Sequence, residues 1–142
     1  MDLEVTSGAI ATLREEATLA APHECCGLLL GQGHRIDRAV PAANVHSDPA
    51  RHFEIDPAVL IPALRAERQG GARVIGYYHS HPNGLCAPSA EDRACASGDG
   101  RVWAIVAADG VTWWWDDQEG FEALSLRLVE GEGEGITIQG RQ

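Results

Sequence analysis

Two histidines on alternate residues, His79 and His81, are followed after seven residues by Ser89 and after two more by Asp92. Two imidazoles and a carboxylate make three protein ligands, the number with which a catalytic zinc site leaves one position open for water. Side chains at i and i+2 of a strand point the same way, so the two rings can share one ion. Imidazole binds metal in its neutral form. A glutamate far upstream, Glu24, could serve as a general base. Together these parts suggest a zinc-dependent hydrolase.

Each part also has a plainer reading. An isolated His-x-His is short, and two surface histidines in a loop would produce it. Ser89-x-x-Asp92 directly after Pro88 has the shape of a helix N-cap with an acid at N3, close to a capping box. A glutamate at the start of an apolar run, as Glu24 is, is usually solvated. Capping and chemistry are compatible. A cap would hold the first helical turn still, and that turn would carry Asp92 toward a metal and Ser89 toward a substrate. Ser80, between the two histidines, reads as support for the ligands rather than as a nucleophile.

The elements that must position these residues follow from periodicity. Ile10, Leu13, Ala17 and Ala20 form the apolar stripe of a helix from Ser7, its N-cap, to Ala20, with Pro22 enforcing the stop. Cys25 to Leu30 is a continuously apolar run that fits a buried strand. Gly31-Gln32-Gly33 reads as a turn, and Arg35 to Val40 alternates as a partner strand does. Residues 41–51 read as loop and Phe53 to Ile55 as a short extended piece. Asp56-Pro57 starts a second helix that ends at Gly70-Gly71, with Pro62 expected to bend its early turns. Arg73 to Tyr78 is a strand delivering His79 at its end. Pro88-Ser89 starts a short third helix. Val102 to Ala107, Val111 to Trp115 and Phe121 to Val129 are three further strands, the first two joined at Asp109-Gly110 as a hairpin. The order αββαβαβββ predicts a mixed sheet flanked by helices, an α+β or α/β domain. Residues 1–130 read as a single domain and 131–142 as a flexible Gly/Glu tail, in which Ile136 to Ile138 would add an edge strand or hang free.

The chain of 142 residues carries a net charge of −10, which repels phosphate backbones and argues against a nucleic-acid partner. No run approaches the roughly 18 apolar residues of a membrane span. Asp2 and Glu4 replace the basic region of a secretory signal, so the expected location is cytoplasmic. All eleven basic residues are arginine, so no lysine amine is available for conjugation or acetylation. Cys25, Cys26, Cys86 and Cys95 fit neither zinc knuckles nor a disulfide framework. Cys25 and Cys26 read as reduced core residues, and Cys86 as a loop residue or a redox-sensitive thiol beside the metal. Of Trp113-Trp114-Trp115, at least one is expected in the core, while an outward ring could form a partner surface or homodimer contact.

The set Glu24 … His79-Ser80-His81-x7-Ser89-x2-Asp92 resembles the JAMM motif of the MPN-type metalloprotease family at every defined position. Pro22-His23-Glu24-Cys25-Cys26-Gly27-Leu28-Leu29 is similar to that family's segment around its catalytic glutamate. Phe53-Glu54-Ile55-Asp56-Pro57 is similar to the start of its second helix, and Gly76-Tyr77-Tyr78-His79-Ser80-His81-Pro82 to its metal strand. The resemblance spans roughly residues 5 to 129 and corresponds to the compact prokaryotic form. It implies a sheet between helices, with layering like that of cytidine deaminases, and one zinc per chain. His79, His81 and Asp92 would be the ligands, Glu24 the general base and Ser89 a donor to the developing oxyanion. It further implies hydrolysis of the amide bond after the C-terminal Gly-Gly of a ubiquitin-like sulfur-carrier protein. The alternatives are a non-catalytic MPN-type binding scaffold and a JAMM peptidase with an unrelated substrate. The P-C-x-x-C signature of a zinc deaminase is absent.

Overall fold

The computed structural model describes residues 3–131. Its elements run β1 (Leu3–Thr6), α1 (Ser7–Ala20), β2 (Cys26–Gln32), β3 (Arg35–Ala42), α2 (Pro57–Arg68), β4 (Arg73–Ser80), α3 (Ala90–Cys95), β5 (Val102–Ala107), β6 (Gly110–Asp117), β7 (Gly120–Leu124) and β8 (Leu126–Val129). Eight strands form one mixed sheet in the order β7-β6-β5-β4-β2-β3-β1-β8. The expected α+β architecture is present, with β4, which ends at the histidine pair, near the middle.

The continuous apolar run of β2 has a simple cause: its strand is covered on both faces. Leu29 joins Leu3, Val5, Ala9, Leu13, Ile36 and Tyr78 in a core capped by α1. Leu28 and Leu30 point the other way and join Val74 beneath Val59, Leu60, Ala63 and Leu64 of α2. The same alternation runs along β4. Tyr78 faces the α1 side, Tyr77 faces the α2 side, and His79 follows Tyr77.

The helices form largely as their caps dictate. Asp56 caps α2 through Ala58 N–H, Pro57 opens the helix, and the helix continues through Pro62 to Arg68. The cap of α1 is Thr6, whose hydroxyl accepts from Ala9 N–H at 3.2 Å, one residue before the expected Ser7. Gly31 lies within β2, not in a turn. It sits at a register shift against β3, where a Cβ would collide with the Arg35 carbonyl. The turn falls instead at Gly33-His34, with Gly33 at φ 58°.

Two strand expectations need correction. No strand is expected where β1 lies; it is four residues long and pairs only with distant parallel partners, β3 and β8. Phe121 to Val129 is two strands, not one. Ser125 separates β7, which pairs with β6 at one sheet edge, from β8, which pairs with β1 at the other. One residue therefore carries the chain between the two edges, which requires the sheet to curl back on itself. The expected β5–β6 hairpin forms, but its turn is Ala108-Asp109, one residue earlier than expected, with Gly110 already in β6. The expected tail, Gly131 apart, lies outside the described residues, as does the strand expected at Ile136 to Ile138.

Candidate metal centre

His79, next to last in β4, lies opposite Ile105 of β5, and the His81 amide donates to the Val106 carbonyl at 2.8 Å, so the neighbouring strand guides both histidines. Their Nε2 atoms stand 3.1 Å apart. Asp92 Oδ2 lies 3.2 Å from His79 Nε2 and 3.1 Å from His81 Nε2. His79 and Asp92 are buried and His81 is half-buried, and their ligand atoms lie within 4.8 Å of one another.

Asp92 reaches this position through a complete capping box at the start of α3. The Ser89 hydroxyl accepts from the Asp92 amide at 3.0 Å, and Asp92 Oδ2 accepts from the Ser89 amide at 2.9 Å. The capping reading of Ser89-x-x-Asp92 is realised, and the geometry is compatible with the functional one. The oxygen that closes the box is also the one facing both imidazoles.

A divalent ion fits these residues. Ligand atoms held at about 2.0–2.1 Å in a tetrahedron stand roughly 3.3 Å apart, close to the separations seen here. Burial lowers the His79 pKa, against the pull of Asp92, which keeps that ring in the neutral form that ligates. Burial alone would lower His81 as well, but hydrogen bonds to Asp92 and the Leu85 carbonyl leave it raised. Burial alone would raise Asp92, but the two histidines and the Ser89 amide hold it well below the usual carboxylate range. Two imidazoles and an ionised carboxylate aimed at one buried point are completed by a cation.

Glu24 precedes β2 and is not solvated: it is 8% exposed. Its amide donates to the Pro49 carbonyl at 2.8 Å, and its carbonyl accepts from Asn44 Nδ2 at 3.0 Å. Ser80 holds the next residue. Its hydroxyl accepts from the Cys25 amide at 2.8 Å, while its own amide donates to the Cys25 carbonyl at 3.1 Å. Ser80 is thus the support expected of it, tying the glutamate's strand to the ligand strand. Burial pushes the Glu24 carboxyl up to about 7, opposed by His81 and assisted by Asp92 and Glu91.

Glu24 lines two adjoining cavities. One, of about 400 Å³, is walled by Phe53, Ile55, Leu60, Tyr77 and Trp103 and also touches Asp92. The other, of about 370 Å³, lies under the loop that follows His81 and is lined by Ser89. A cleft with apolar walls and a few convergent polar groups suits an extended chain held across the metal position.

Four further residues surround the histidines and Glu24. Phe53 stacks on the His79 ring at 4.3 Å, and Trp103 meets it edge-on at 5.7 Å. Among the described residues the buried His79 Nδ1 has no hydrogen-bond partner, and aromatic packing orients this ring. Asn44 satisfies all its side-chain sites, donating to the carbonyls of Glu24 and His52 and accepting from the amides of His46 and Glu54, at 2.9–3.1 Å. Arg51 lines both cavities. An asparagine in a loop carries no periodic signal, and the only clue to Phe53 was its place in the Phe53-Glu54-Ile55-Asp56-Pro57 segment.

Cys86 is a free thiol anchored within its loop. Its thiol contacts the Gly110 and Ile105 carbonyls at 3.2 and 3.3 Å, and its carbonyl accepts from the Thr112 hydroxyl at 2.9 Å. That anchor fixes the adjacent Leu85, whose carbonyl lies 2.7 Å from His81 Nδ1. Cys25 and Cys26 are buried free thiols, and burial pushes Cys26 up to about 12. Trp113 is in the core, whereas Trp114 and Trp115 are half-buried.

A curled mixed sheet that presents a buried His-His-Asp triad beside a glutamate defines a metal-dependent hydrolase. Residues 6–117 match the family described as prokaryotic homologues of the JAB domain, and the chain belongs to that family. It is 38% identical over 99 residues to a desampylase of Haloferax volcanii, covering 68% of this chain and 71% of the relative. It is 36% identical over 110 residues to a Thermus thermophilus protein named "Probable TtuB-protein conjugate cleaving protease", covering 77% and 72%. A solution structure of a Desulfitobacterium hafniense protein superposes with a TM-score of 0.78 at 27% identity, covering 90% of this chain and 93% of that one. No helix among the described residues is long and apolar enough to cross a membrane.

Proposed function

We propose that this protein hydrolyses the amide bond after the C-terminal Gly-Gly of a ubiquitin-like, sulfur-carrier-type protein, with one zinc ion per chain. The observation that carries the reading is the convergence of His79, His81 and Asp92 on one point beside a buried glutamate. The relatives point the same way, since one is a desampylase and another is named for cleaving protein conjugates of TtuB.

His79, His81 and Asp92 would hold the zinc. Bound there, zinc supplies Lewis-acid polarisation and lowers the pKa of water toward about 7. Glu24 takes the proton of the attacking water and returns it to the leaving amine. Ser89 already accepts from the Asp92 amide, which leaves its hydroxyl proton free to donate to the oxygen of the scissile carbonyl as charge develops. The cleft walls orient the substrate chain and exclude bulk water. No covalent intermediate is required.

Elemental analysis of protein purified without chelator tests the reading. We expect close to one zinc per chain in the parent, a clear loss in Asp92→Ala, and zinc-dependent cleavage of fusions to a Gly-Gly-terminated ubiquitin-like protein. A parent that takes up no zinc even on reconstitution would instead be a binding scaffold.

A further inference from the structure

Four carboxylates line the larger cavity beside the metal ligands: Glu24, Glu54, Glu91 and Asp92. Its one permanent cation is Arg51, which also lines the neighbouring cavity, where it is again the only arginine. Glu24 is common to both as well, so Arg51 stands where the cavities meet, beside the proposed general base. The Arg51 amide closes a turn onto the Asp48 carbonyl at 3.2 Å, and the side chain is exposed. Among the described residues its guanidinium forms no ion pair, as is true of most of the arginines; what sets Arg51 apart is that it lines both cavities.

An arginine in a cleft rich in carboxylates that pairs with none of them is open to a carboxylate from outside. The planar guanidinium is suited to that ligand, which it takes through two parallel charge-assisted bonds. The need for it is electrostatic. A chain of net charge −10 with an acid-lined cleft repels an anionic group approaching the scissile bond, and one unpaired cation offsets that repulsion locally.

We infer that Arg51 binds a substrate carboxylate next to the scissile amide, the α-carboxylate of an amino acid whose amine is the leaving group. This makes Arg51 a specificity determinant favouring conjugates to a free amino acid over conjugates to an uncharged amine. The inference rests on the proposed Gly-Gly hydrolase reading. The same chemistry has a second source, the carboxylate left on the Gly-Gly product.

The test measures binding in zinc-loaded Glu24→Gln protein, with Arg51 intact or replaced by Ala or Lys. The probe is a ubiquitin-like protein ending in Gly-Gly, extended by one alanine that terminates as carboxylate or as carboxamide. We expect the carboxylate form to bind about tenfold more tightly when Arg51 is present. That ratio falls to about one in Arg51→Ala and is intermediate in Arg51→Lys, which keeps the charge without the fork. An unchanged ratio in Arg51→Ala overturns the inference. An arginine-dependent preference seen only with the unextended Gly-Gly protein, compared as acid and amide, overturns the leaving-group assignment in favour of the product. If none of the probes binds, the Gly-Gly reading itself fails and takes the inference with it.

Discussion

Glu24 carries two consequences of burial that can be separated by pH. Its carboxyl rises from an ordinary 4.5 to about 7 in the metal-free protein. The folded state therefore keeps a proton that the unfolded chain releases, and this contribution to stability is present below about 4.5 and lost as pH rises toward 7. Metal-free Glu24→Gln lacks that dependence, so its melting temperature relative to the parent should climb across this window. Asp92 works in the opposite sense. Its folded pKa is depressed, so its contribution is present above its unfolded value of 3.8 and fades as the protein is acidified below it. With zinc bound, the cation favours ionised Glu24, and kcat/KM should rise on the acid side with an apparent pKa below about 7. Zinc-loaded Glu24→Gln should keep its metal and lose nearly all turnover, and retained turnover would remove Glu24 from the chemistry. Asn44 has a complementary role, since it holds the glutamate's backbone without touching the ligands. Asn44→Leu should leave four backbone groups short of a partner, lowering stability by about 1–3 kcal/mol and kcat by far more than zinc content. The convergence of His79, His81 and Asp92 was legible because motif spacing is written in residue types. Asn44 and Phe53 were not, because they act through backbone groups and ring faces that any loop could supply.

At the scale of elements, the site depends on two junctions. Ser80 of β4 bonds both ways to Cys25, just before β2, so Glu24 is tied to the strand that carries the histidine pair. The other junction is the capping box of α3. Ser89→Ala removes one leg of the box, at a cost of about 1 kcal/mol, and frees the turn that aims Asp92. Weaker zinc retention alongside reduced turnover is the expected result, to be read by chelator competition. A variant that loses turnover with zinc affinity unchanged would assign Ser89 wholly to the reaction. The helices were legible from their stripes and caps, and the buried strands from their continuous apolar runs. β1 was not, because four residues carry too little pattern and its stability comes from partners more than thirty residues away. The split at Ser125 was hidden for a related reason: β7 and β8 differ in their partners rather than in composition.

Across the whole molecule, the α1 face is closed around a large core, while the α2 face holds a smaller cluster and opens into the cleft. The first and last described strands, β1 and β8, lie side by side and parallel, with Leu3 opposite Leu126 and Thr6 opposite Val129. Tension applied between the start of β1 and the end of β8 would pull these parallel neighbours past each other, loading the hydrogen bonds of that ladder together rather than peeling them one at a time. In single-molecule stretching from these two ends, the domain should resist abruptly and then yield in one step. Attachment within β6 and at the end of β7, which are antiparallel neighbours joined by a short turn, should open the same sheet at lower force. The curl imposed by Ser125 thus makes the fold a mechanical clasp along the axis on which a machine drawing in either end would pull.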